Sequence, residues 1–411
     1  MSLSYHVGEL PLNHSDLHKY ITYLKGRGAV SVHTNIQSAK IFLEKYLVKN
    51  RRLIQAPLDE IGSTPLIQHT LDMGSYLLRI RAPGCREVLY PLLIERQKHW
   101  TGRPPKKKIP QKVHLPSTDE LGSEDCYVPS GWFWFGGDSN ALNALDKIRI
   151  WQDAFVMKKY PVTNREYLEF LNNLVQKGRE NEALRHVPRE RTTDDENNMV
   201  YGRTKNGYFF LKPDLEGDVW EPEWPVILID WCSAMAYTSW YSEREGVPWR
   251  LPFEGEWEKA ARGVDARIFP WGNDFDPSWC SMRDSTKERP ILTKRDAFPV
   301  DSSPYNICSL SGNVREWTAS VWRKQGPKVI ERRIQDDIPT VFDGLRVTTK
   351  GGAWYDPEIF CRSGSRICAG IKRKDDVLGF RLARSFFDGR GQSLKNRAQR
   401  LLKSMSKSSN A

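Results

Sequence analysis

The sequence lacks several features that would place it in common classes of protein. Its 411 residues contain no apolar run of about 18 residues, the length that a helix needs to cross a bilayer. The first twenty residues lack the basic start and continuous apolar stretch of a secretory signal. Seven cysteines occur without a C-x-x-C pair, which argues against a disulfide framework and a structural zinc site. These absences predict a cytoplasmic protein with no membrane span.

Histidine is scarce, and the eight histidines are unevenly placed. Seven precede residue 115, His186 lies in a polar stretch, and none follows it. A histidine-ligated metal or a histidine general base in the C-terminal half is therefore excluded unless His186 folds back toward it. The chain also has no Gly-rich loop, V-A-I-K string or H-R-D string, so it carries no kinase activity of its own.

The net charge of +11 raises the question of an anionic partner. Part of the excess lies in the Pro-Lys run at 103–108. Another part lies in residues 389–411, which hold six basic residues and no acidic one. Charge carried in such segments usually gives solubility or weak, nonspecific attraction. We therefore do not expect nucleic-acid binding.

The N-terminal part of the chain divides by pattern. Residues 1–27 predict a short leader with helical periodicity. Residues 28–101 alternate with period two between Gly- and Pro-containing turns, which indicates a small antiparallel β-sandwich. The order of its strands and turns resembles PEGA domains, small β modules found beside bacterial kinases; another kind of β-sandwich spacer is the alternative. The Pro-rich, charged residues 102–125 predict a semi-extended linker, and residues 388–411 predict a disordered basic tail.

Five ordered sequence blocks fill the region from 126 to 387. They are FVMKKYPVTNREYLEFLNNL at 155–174, the Trp-rich block at 224–263, FPWGNDFDPSWC at 269–280, SPYNICSLSGNVREW at 303–317, and KGGAWYDPEIFCRSGSR with LGFRLAR at 350–384. In this order they resemble the formylglycine-generating-enzyme, or sulfatase-modifying-factor, family, with residues 178–223 as an insertion. The resemblance implies an α+β, C-type-lectin-like fold with a small twisted antiparallel sheet, two main helices and long ordered loops, following a small N-terminal all-β sandwich domain.

The resemblance also bears on catalysis. Active members of the family hold a copper ion with two cysteine thiolates after a Gly-Gly-Ser step, and soft thiolates suit Cu(I). The first of these positions is Asp356 here and the second is Cys361. One thiolate cannot form the two-coordinate site, so we expect neither copper nor formylglycine formation. Two alternatives retain thiol chemistry: a pair formed by Cys361 and Cys368, or an oxidoreductase of other chemistry that uses Cys361.

A calcium site of the family has a weakened counterpart in this sequence. The resemblance places its ligands at Ser309, Gly312, Val314 and Glu316, where serine replaces the usual Asn or Asp. Carboxylate and carbonyl oxygens suit a hard cation. The alternative is that Glu316 joins an internal hydrogen-bond network under the Trp317 strand.

In this fold the segment between Gly352 and Gly379 forms an exposed ligand-binding face, and here it mixes aromatic and charged residues, as binding surfaces do. The predicted ligand-binding residues are Trp354, Tyr355, Asp356, Glu358, Phe360, Arg362 and Arg366. For Trp354 and Arg362 the favoured interpretation is that they hold the loop itself. The segment predicts noncatalytic recognition of a protein or peptide partner.

Two versions of this hypothesis differ in the partner. In one, the segment is diversified by a retroelement, because receptors of that kind vary the same segment of the same fold before a Gly-Phe-Arg-Leu step such as residues 379–382. In the other, the chain is a regulatory part of a signalling system whose effector is a separate kinase or another protein.

Overall fold

A computed structural model describes residues 14, 16–57, 59–190, 198–213 and 217–386. The chain divides into two compact units. Unit 1 takes in Met1–Leu121 and Pro129–Trp132, and unit 2 takes in Gly122–Val128 and Phe133–Ala411. The predicted basic tail and most of the predicted leader lie outside the described residues. Within the described ranges, every helix is too short or too polar to cross a membrane.

Unit 1 is built from β-strands after one helix, α1 (Leu17–Lys25). The strands are β1 (Arg27–Val32), β2 (Lys40–Lys49), β3 (Arg52–Gln55), β4 (Asp59–Ser63), β5 (Leu66–Asp72), β6 (Gly74–Arg81), β7 (Val88–Ile94) and β8 (His99–Trp100). One sheet has the order β5-β1-β8. A larger one has the order β3-β2-β6-β7, and β4 also pairs with β2. Apolar side chains of these strands, including Ile41, Leu78 and Ile80, are fully buried. The period-two pattern therefore predicted the strands correctly, whereas the PEGA assignment stays a prediction.

Most of the stretch predicted as a linker packs on unit 1. The Val113 N–H donates to the His33 carbonyl at 2.7 Å, and the Leu115 N–H donates to Asn35 Oδ1 at 2.8 Å. The side chains of Val113 and Leu115 are buried. Residues 102–121 are therefore not the semi-extended linker that their composition predicts, because two apolar side chains and paired backbone groups fix the chain despite its many prolines and charges.

Unit 2 combines helices with short strands. The helices are α2 (Asn164–Gln176), α3 (Glu180–His186), α4 (Trp231–Glu245), α5 (Glu254–Arg262) and α6 (Glu358–Cys361). The strands are β9 (Asp125–Val128), β10 (Gly131–Phe135), β11 (Ile148–Gln152), β12 (Phe155–Lys158), β13 (Tyr201–Arg203), β14 (Phe209–Leu211), β15 (Arg315–Val321), β16 (Val329–Ile330), β17 (Arg333–Ile334), β18 (Arg346–Lys350), β19 (Ile367–Gly370), β20 (Leu378–Gly379) and β21 (Ala383–Ser385). The predicted insertion holds α3 and the β13–β14 hairpin.

The sequence predicts the two longest helices from local signals. Thr163-Asn164 can cap a helix with Tyr167, Phe170 and Leu171 on one face, and the run that ends at Trp231 leads into a helix with Ala234, Tyr237 and Trp240 at spacings of about three. Both helices are present. Before α2, the Thr163 hydroxyl accepts from the Glu166 N–H at 3.3 Å while the Glu166 carboxylate accepts from the Thr163 N–H at 2.8 Å, a reciprocal capping box. Asp230 caps the start of α4, because its carboxylate accepts a hydrogen bond from the Ser233 N–H. Gly246, in the left-handed conformation, caps the end of the helix. Both helices bury their predicted apolar faces.

The apolar run at 225–231 is buried but is not the strand that its pattern predicts. Leu228 has φ +58, which breaks an extended course, and its N–H donates to the Asp375 carbonyl. The Val226 N–H donates to the Val162 carbonyl. The backbone groups thus find partners in loops rather than in a strand ladder.

A four-stranded sheet fixes both ends of residues 351–366. Its order is β19-β18-β15-β20, and β20 runs parallel to β15 while the other pairs are antiparallel. β18 ends at Lys350 and β19 begins at Ile367, and Thr349 pairs with Ile367. Residues 351–366 therefore form the connection between two neighbouring strands, and we call this connection the 351–366 loop.

Candidate functional site

The 351–366 loop opens with two glycines that the packing requires. Gly351 has φ +77, a conformation that side chains with a Cβ rarely adopt. A Cβ on Gly352 would lie 2.4 Å from Cys361 Sγ and 3.0 Å from Cys361 Cα. The Gly-Gly step therefore lets the chain turn and leaves room for the Cys361 thiol beneath it.

Asp356 is buried in an ion pair. Its carboxylate accepts from Arg315 at 2.5 Å, and Arg315 is 6% exposed. Burial raises the pKa of Asp356, and the neighbouring guanidinium opposes that increase. The Asp356 carbonyl also accepts from the Arg283 N–H. Asp356 thus holds the loop against β15, and its predicted place on an exposed binding face is wrong because Arg315 draws it inward.

Cys361, at the end of α6, is fully buried and belongs to an apolar cluster with Phe269, Trp271, Cys280 and Met282. The neighbouring Cys361 thiol and burial together hold the pKa of Cys280 well above its ordinary range.

Cys368 does not belong to this cluster. It lies on β19 opposite Thr348, is half-buried, and approaches the Arg346 guanidinium at 4.0 Å. The structure thus brings Cys361 to Cys280 rather than to Cys368, the partner proposed from sequence spacing.

The donor set does not fit the family's copper ion. The position of the first thiolate holds a carboxylate that is already paired with Arg315, and a carboxylate is a hard ligand. Elsewhere in the described part of the chain, no group of three or more His, Cys, Asp and Glu side chains is arranged to hold a metal.

Arg362 and Arg366 are buried rather than exposed. Arg362 donates two bonds to the Asp138 carboxylate, at 2.8 and 2.9 Å. Arg366 donates to Glu254 at 2.8 Å, and neither side chain of this pair has any exposed area. The predicted binding role of Arg366 is therefore wrong, since its charge is neutralised inside the unit. For Arg362 the structure matches the favoured interpretation that it holds the loop.

Four other predicted residues lie at or near the surface. Tyr355 is 58% exposed, and the Glu358 side chain is 44% exposed. Trp354 is half-buried and donates from Nε1 to the Asp376 carbonyl at 2.9 Å, which ties it to the scaffold. Phe360 is half-buried under the Arg315 guanidinium, which lies 5.1 Å from its ring centre. Ile359, which the sequence did not single out, is 41% exposed.

We call Tyr355, Glu358 and Ile359 the loop tip. Its members share exposure on a loop whose neighbouring charged groups point inward. The Glu358 carboxylate accepts from Arg362 at 2.9 Å, so even this exposed residue is oriented by the buried pair below it. The loop tip is thus a small aromatic and aliphatic surface on a fixed base.

The predicted calcium loop is occupied by protein groups. Both Glu316 oxygens accept from Arg381, at 2.6–2.8 Å, and one also accepts from Trp257 Nε1 at 2.7 Å. Arg381 also donates to the Ser309 carbonyl, and the Ser309 hydroxyl donates to the Arg295 carbonyl. These residues do not fit a calcium ion, because the positive charge of Arg381 already neutralises the Glu316 carboxylate. The contacts match the alternative of an internal network, to which Gly312 and Val314 contribute as buried loop residues.

Several residues of the site escaped sequence reasoning. Cys280 lies in a loop after the turn Pro277–Trp279, and Asp138 and Glu254 lie more than 100 residues before their arginine partners. Residue type alone gives no sign of these pairings. The closest signal in the sequence is the placement of Glu256 and Glu258 in the first turns of a short helix, which indicates the helix but not the burial of Glu254.

An α+β unit whose inter-strand loop opens with Gly-Gly and buries a cysteine is the kind of domain that the five sequence blocks predict. The family described as the sulfatase-modifying factor enzyme 1-like domain matches residues 111–386. That range is more than half of the chain, and the chain belongs to this family.

Named relatives include active and inactive proteins. The chain is 28% identical over 283 residues to the uncharacterized protein YfmG of Bacillus subtilis, a match that covers 61% of this chain and 52% of YfmG. This chain thus spans about half the length of that relative. It is 28% identical to the formylglycine-generating enzyme of Bos taurus, over 62% of this chain and 73% of the enzyme. It is 29% identical to the inactive C-alpha-formylglycine-generating enzyme 2 of Bos taurus, over 55% of this chain and 81% of that protein.

Proposed function

We propose that the chain is a noncatalytic recognition protein of the sulfatase-modifying-factor family, and that the loop tip contacts its partner. The observation that carries the proposal is the division of the 351–366 loop. Its arginines and Asp356 are tied inward by ion pairs, while Tyr355 and Ile359 face outward. A rigid base lowers the ordering cost of binding, and an aromatic anchor supplies contact area.

Asp356 supports the noncatalytic part of the proposal. Sequence identity does not decide between activity and inactivity, because relatives named as active and inactive are 28% and 29% identical to this chain. The residue at the first thiolate position is more informative. An oxidoreductase that uses Cys361 is the competing function, and it would have to work without the thiolate that Asp356 replaces.

The surface suits a protein or peptide partner. The loop tip exposes an aromatic ring, a branched aliphatic side chain and one carboxylate, a combination that suits contact with another protein surface. We propose further that unit 2 has the C-type-lectin-like fold and that unit 1 is a PEGA-like module. A signalling effector such as a separate kinase, or a ligand of a retroelement-diversified receptor, would meet this surface.

Photo-crosslinking from the loop tip tests the proposal directly. A photoreactive phenylalanine analogue in place of Tyr355 would be expressed in cells of the source organism, and the adducts identified by mass spectrometry. The matched control carries the analogue at Tyr208, an exposed aromatic residue of unit 2 at 41% exposure. We expect a defined protein adduct from position 355 that is absent from position 208.

The purified partner then allows a quantitative comparison. Tyr355→Ala with Ile359→Ser should weaken binding at least tenfold, about 1.4 kcal/mol, whereas Tyr208→Ala with Phe210→Ser should leave it unchanged. Identical adducts from both positions, or none from position 355, would contradict the proposal.

A further inference from the structure

Two cysteines that are distant in sequence share one buried site. Cys280 follows the turn Pro277–Trp279, and Cys361 ends α6. Both side chains are fully buried, and both belong to the same apolar cluster. No other cysteine of the described chain belongs to this cluster. This pair differs from the two positions that hold copper in active members of the family, since only Cys361 is common to both.

The surroundings of the two thiols are apolar. Phe269 and Trp271 stack with ring centres 5.1 Å apart, Trp279 meets Trp271 edge-on, and Met282 completes the buried cluster. The missing side chain of Gly352 opens the space that the Cys361 sulfur fills. The site is therefore apolar and closely packed.

Two neighbouring cysteines can bind a soft metal ion or form a disulfide, and the surroundings of the site favour one of these. A soft metal ion would require both sulfurs as thiolates, and their net negative charge would have to be held among aromatic rings. A disulfide is neutral, so it places no charge among these rings. The apolar surroundings therefore favour the covalent bond over the metal complex.

We infer that Cys280 and Cys361 form a reversible disulfide that joins the 273–285 region to the 351–366 loop. A small-molecule disulfide such as oxidised glutathione is the oxidant. One cysteine attacks it, forms a mixed disulfide and releases one thiol. The second cysteine then attacks the mixed disulfide and releases the second thiol, so two electrons leave the pair and two protons pass to the released thiols.

The bond would fix the end of α6, on which Glu358 and Ile359 are carried. It would also close a long loop, because 81 positions separate the two cysteines in sequence (361 − 280). Closing a loop of this length restricts the unfolded chain. The inference rests on the burial of both cysteines in one apolar cluster and holds whether or not the loop tip binds a partner.

Disulfide mapping on the full chain provides the test. The protein is equilibrated in glutathione buffers of graded redox potential. One sample starts from the folded, reduced protein, and a second is refolded from urea in the same buffers. In the second sample the thiols are exposed before folding, so their burial does not prevent reaction. Trypsin places Cys280 in peptide 268–283 and Cys361 in peptide 351–362, each with no other cysteine. We expect one linked species of these two peptides, and the thiols titrated after denaturation should fall from seven to five (7 − 2).

Thermal unfolding gives an independent measurement. Oxidation should raise the Tm by about 10 °C, a rise that reduction reverses. Cys280→Ala and Cys361→Ala should each abolish this rise, whereas Cys368→Ala should retain it. A linked peptide that joins Cys361 to Cys368, or seven free thiols after refolding in the most oxidising buffer, would overturn the inference.

Discussion

The two sides of the 351–366 loop contrast sharply. On the inner side, Arg362 and Arg366 are paired with Asp138 and Glu254 in the interior of unit 2. On the outer side, Tyr355 and Ile359 expose apolar area to solvent. The usual preference would bury the apolar residues and expose the arginines. The reversal indicates that the charges fix the loop and that the apolar tip is left available for a contact with another molecule.

The inner side should be the more sensitive to substitution. Arg366→Met removes the arginine that pairs with buried Glu254, and breaking such a pair typically costs about 3–5 kcal/mol because one charge is left unpaired in the interior. Chemical denaturation would measure the free energy of unfolding. Lys372→Met is the control, since it breaks an ion pair with Asp343 that is largely exposed. Equal losses for both variants would remove the contrast between buried and exposed charge.

Asp301, a buried carboxylate that accepts a hydrogen bond from the backbone, sharpens the same contrast. Asp301 is 2% exposed, and its carboxylate accepts from the Ser311 N–H at 2.9 Å. Burial raises its pKa from 3.8 to about 7. The folded state therefore favours the protonated acid, and the stability that this group contributes is present below pH 3.8 and is lost as the pH rises toward 7.

Asp301→Asn should remove this pH dependence. Relative to the unsubstituted protein, the variant should gain stability between pH 4 and pH 7, by up to about 4 kcal/mol for a change of about three pKa units. Unfolding curves of both proteins across this range measure the difference. A constant difference at every pH would show that folding does not change the pKa of Asp301 and would contradict the prediction.

Substitutions on the outer side should leave the fold intact. Tyr355→Ala with Glu358→Gln removes exposed groups, and exposed substitutions usually change stability by about 0.5 kcal/mol or less. The Tm should shift by no more than a few degrees, while capture of the crosslinked partner should weaken at least tenfold. Unfolding of the double variant would instead assign the loop tip to the structural base.

Calcium should have no effect on either side of the loop. Arg381 already neutralises Glu316, so adding calcium or a chelator should leave the Tm unchanged. A concentration-dependent rise of the Tm with calcium would show that the ion displaces this arginine and would restore the site predicted at Ser309, Gly312, Val314 and Glu316.

The sequence allowed part of this arrangement to be predicted. Local signals sufficed for α2 and α4, whose caps and apolar faces lie within one stretch of chain. The five ordered blocks identified the family, and the Gly-Gly step located the 351–366 loop. These predictions needed no information about distant residues.

The inward charges and the thiol pair could not be predicted in the same way. Arginine is mostly exposed in proteins, so the sequence predicts that Arg366 is a surface residue. The residue that buries it, Glu254, lies 112 positions earlier in the chain. Cys280 and Cys361 are likewise joined only by tertiary structure. Spacing along the chain offered only Cys368 as an alternative partner of Cys361, and the sheet places Cys368 on β19 beside Thr348.

Incubation with a cysteine-containing sulfatase peptide tests the noncatalytic assignment most directly. The full chain would be mixed with the peptide, copper and oxygen under reducing conditions that maintain an active formylglycine-generating enzyme, which serves as the positive control. Because Asp356 is paired with Arg315 at the position of the first thiolate, the peptide mass should remain unchanged. Conversion of the cysteine to the aldehyde would contradict the account and establish an oxidase that uses Cys361.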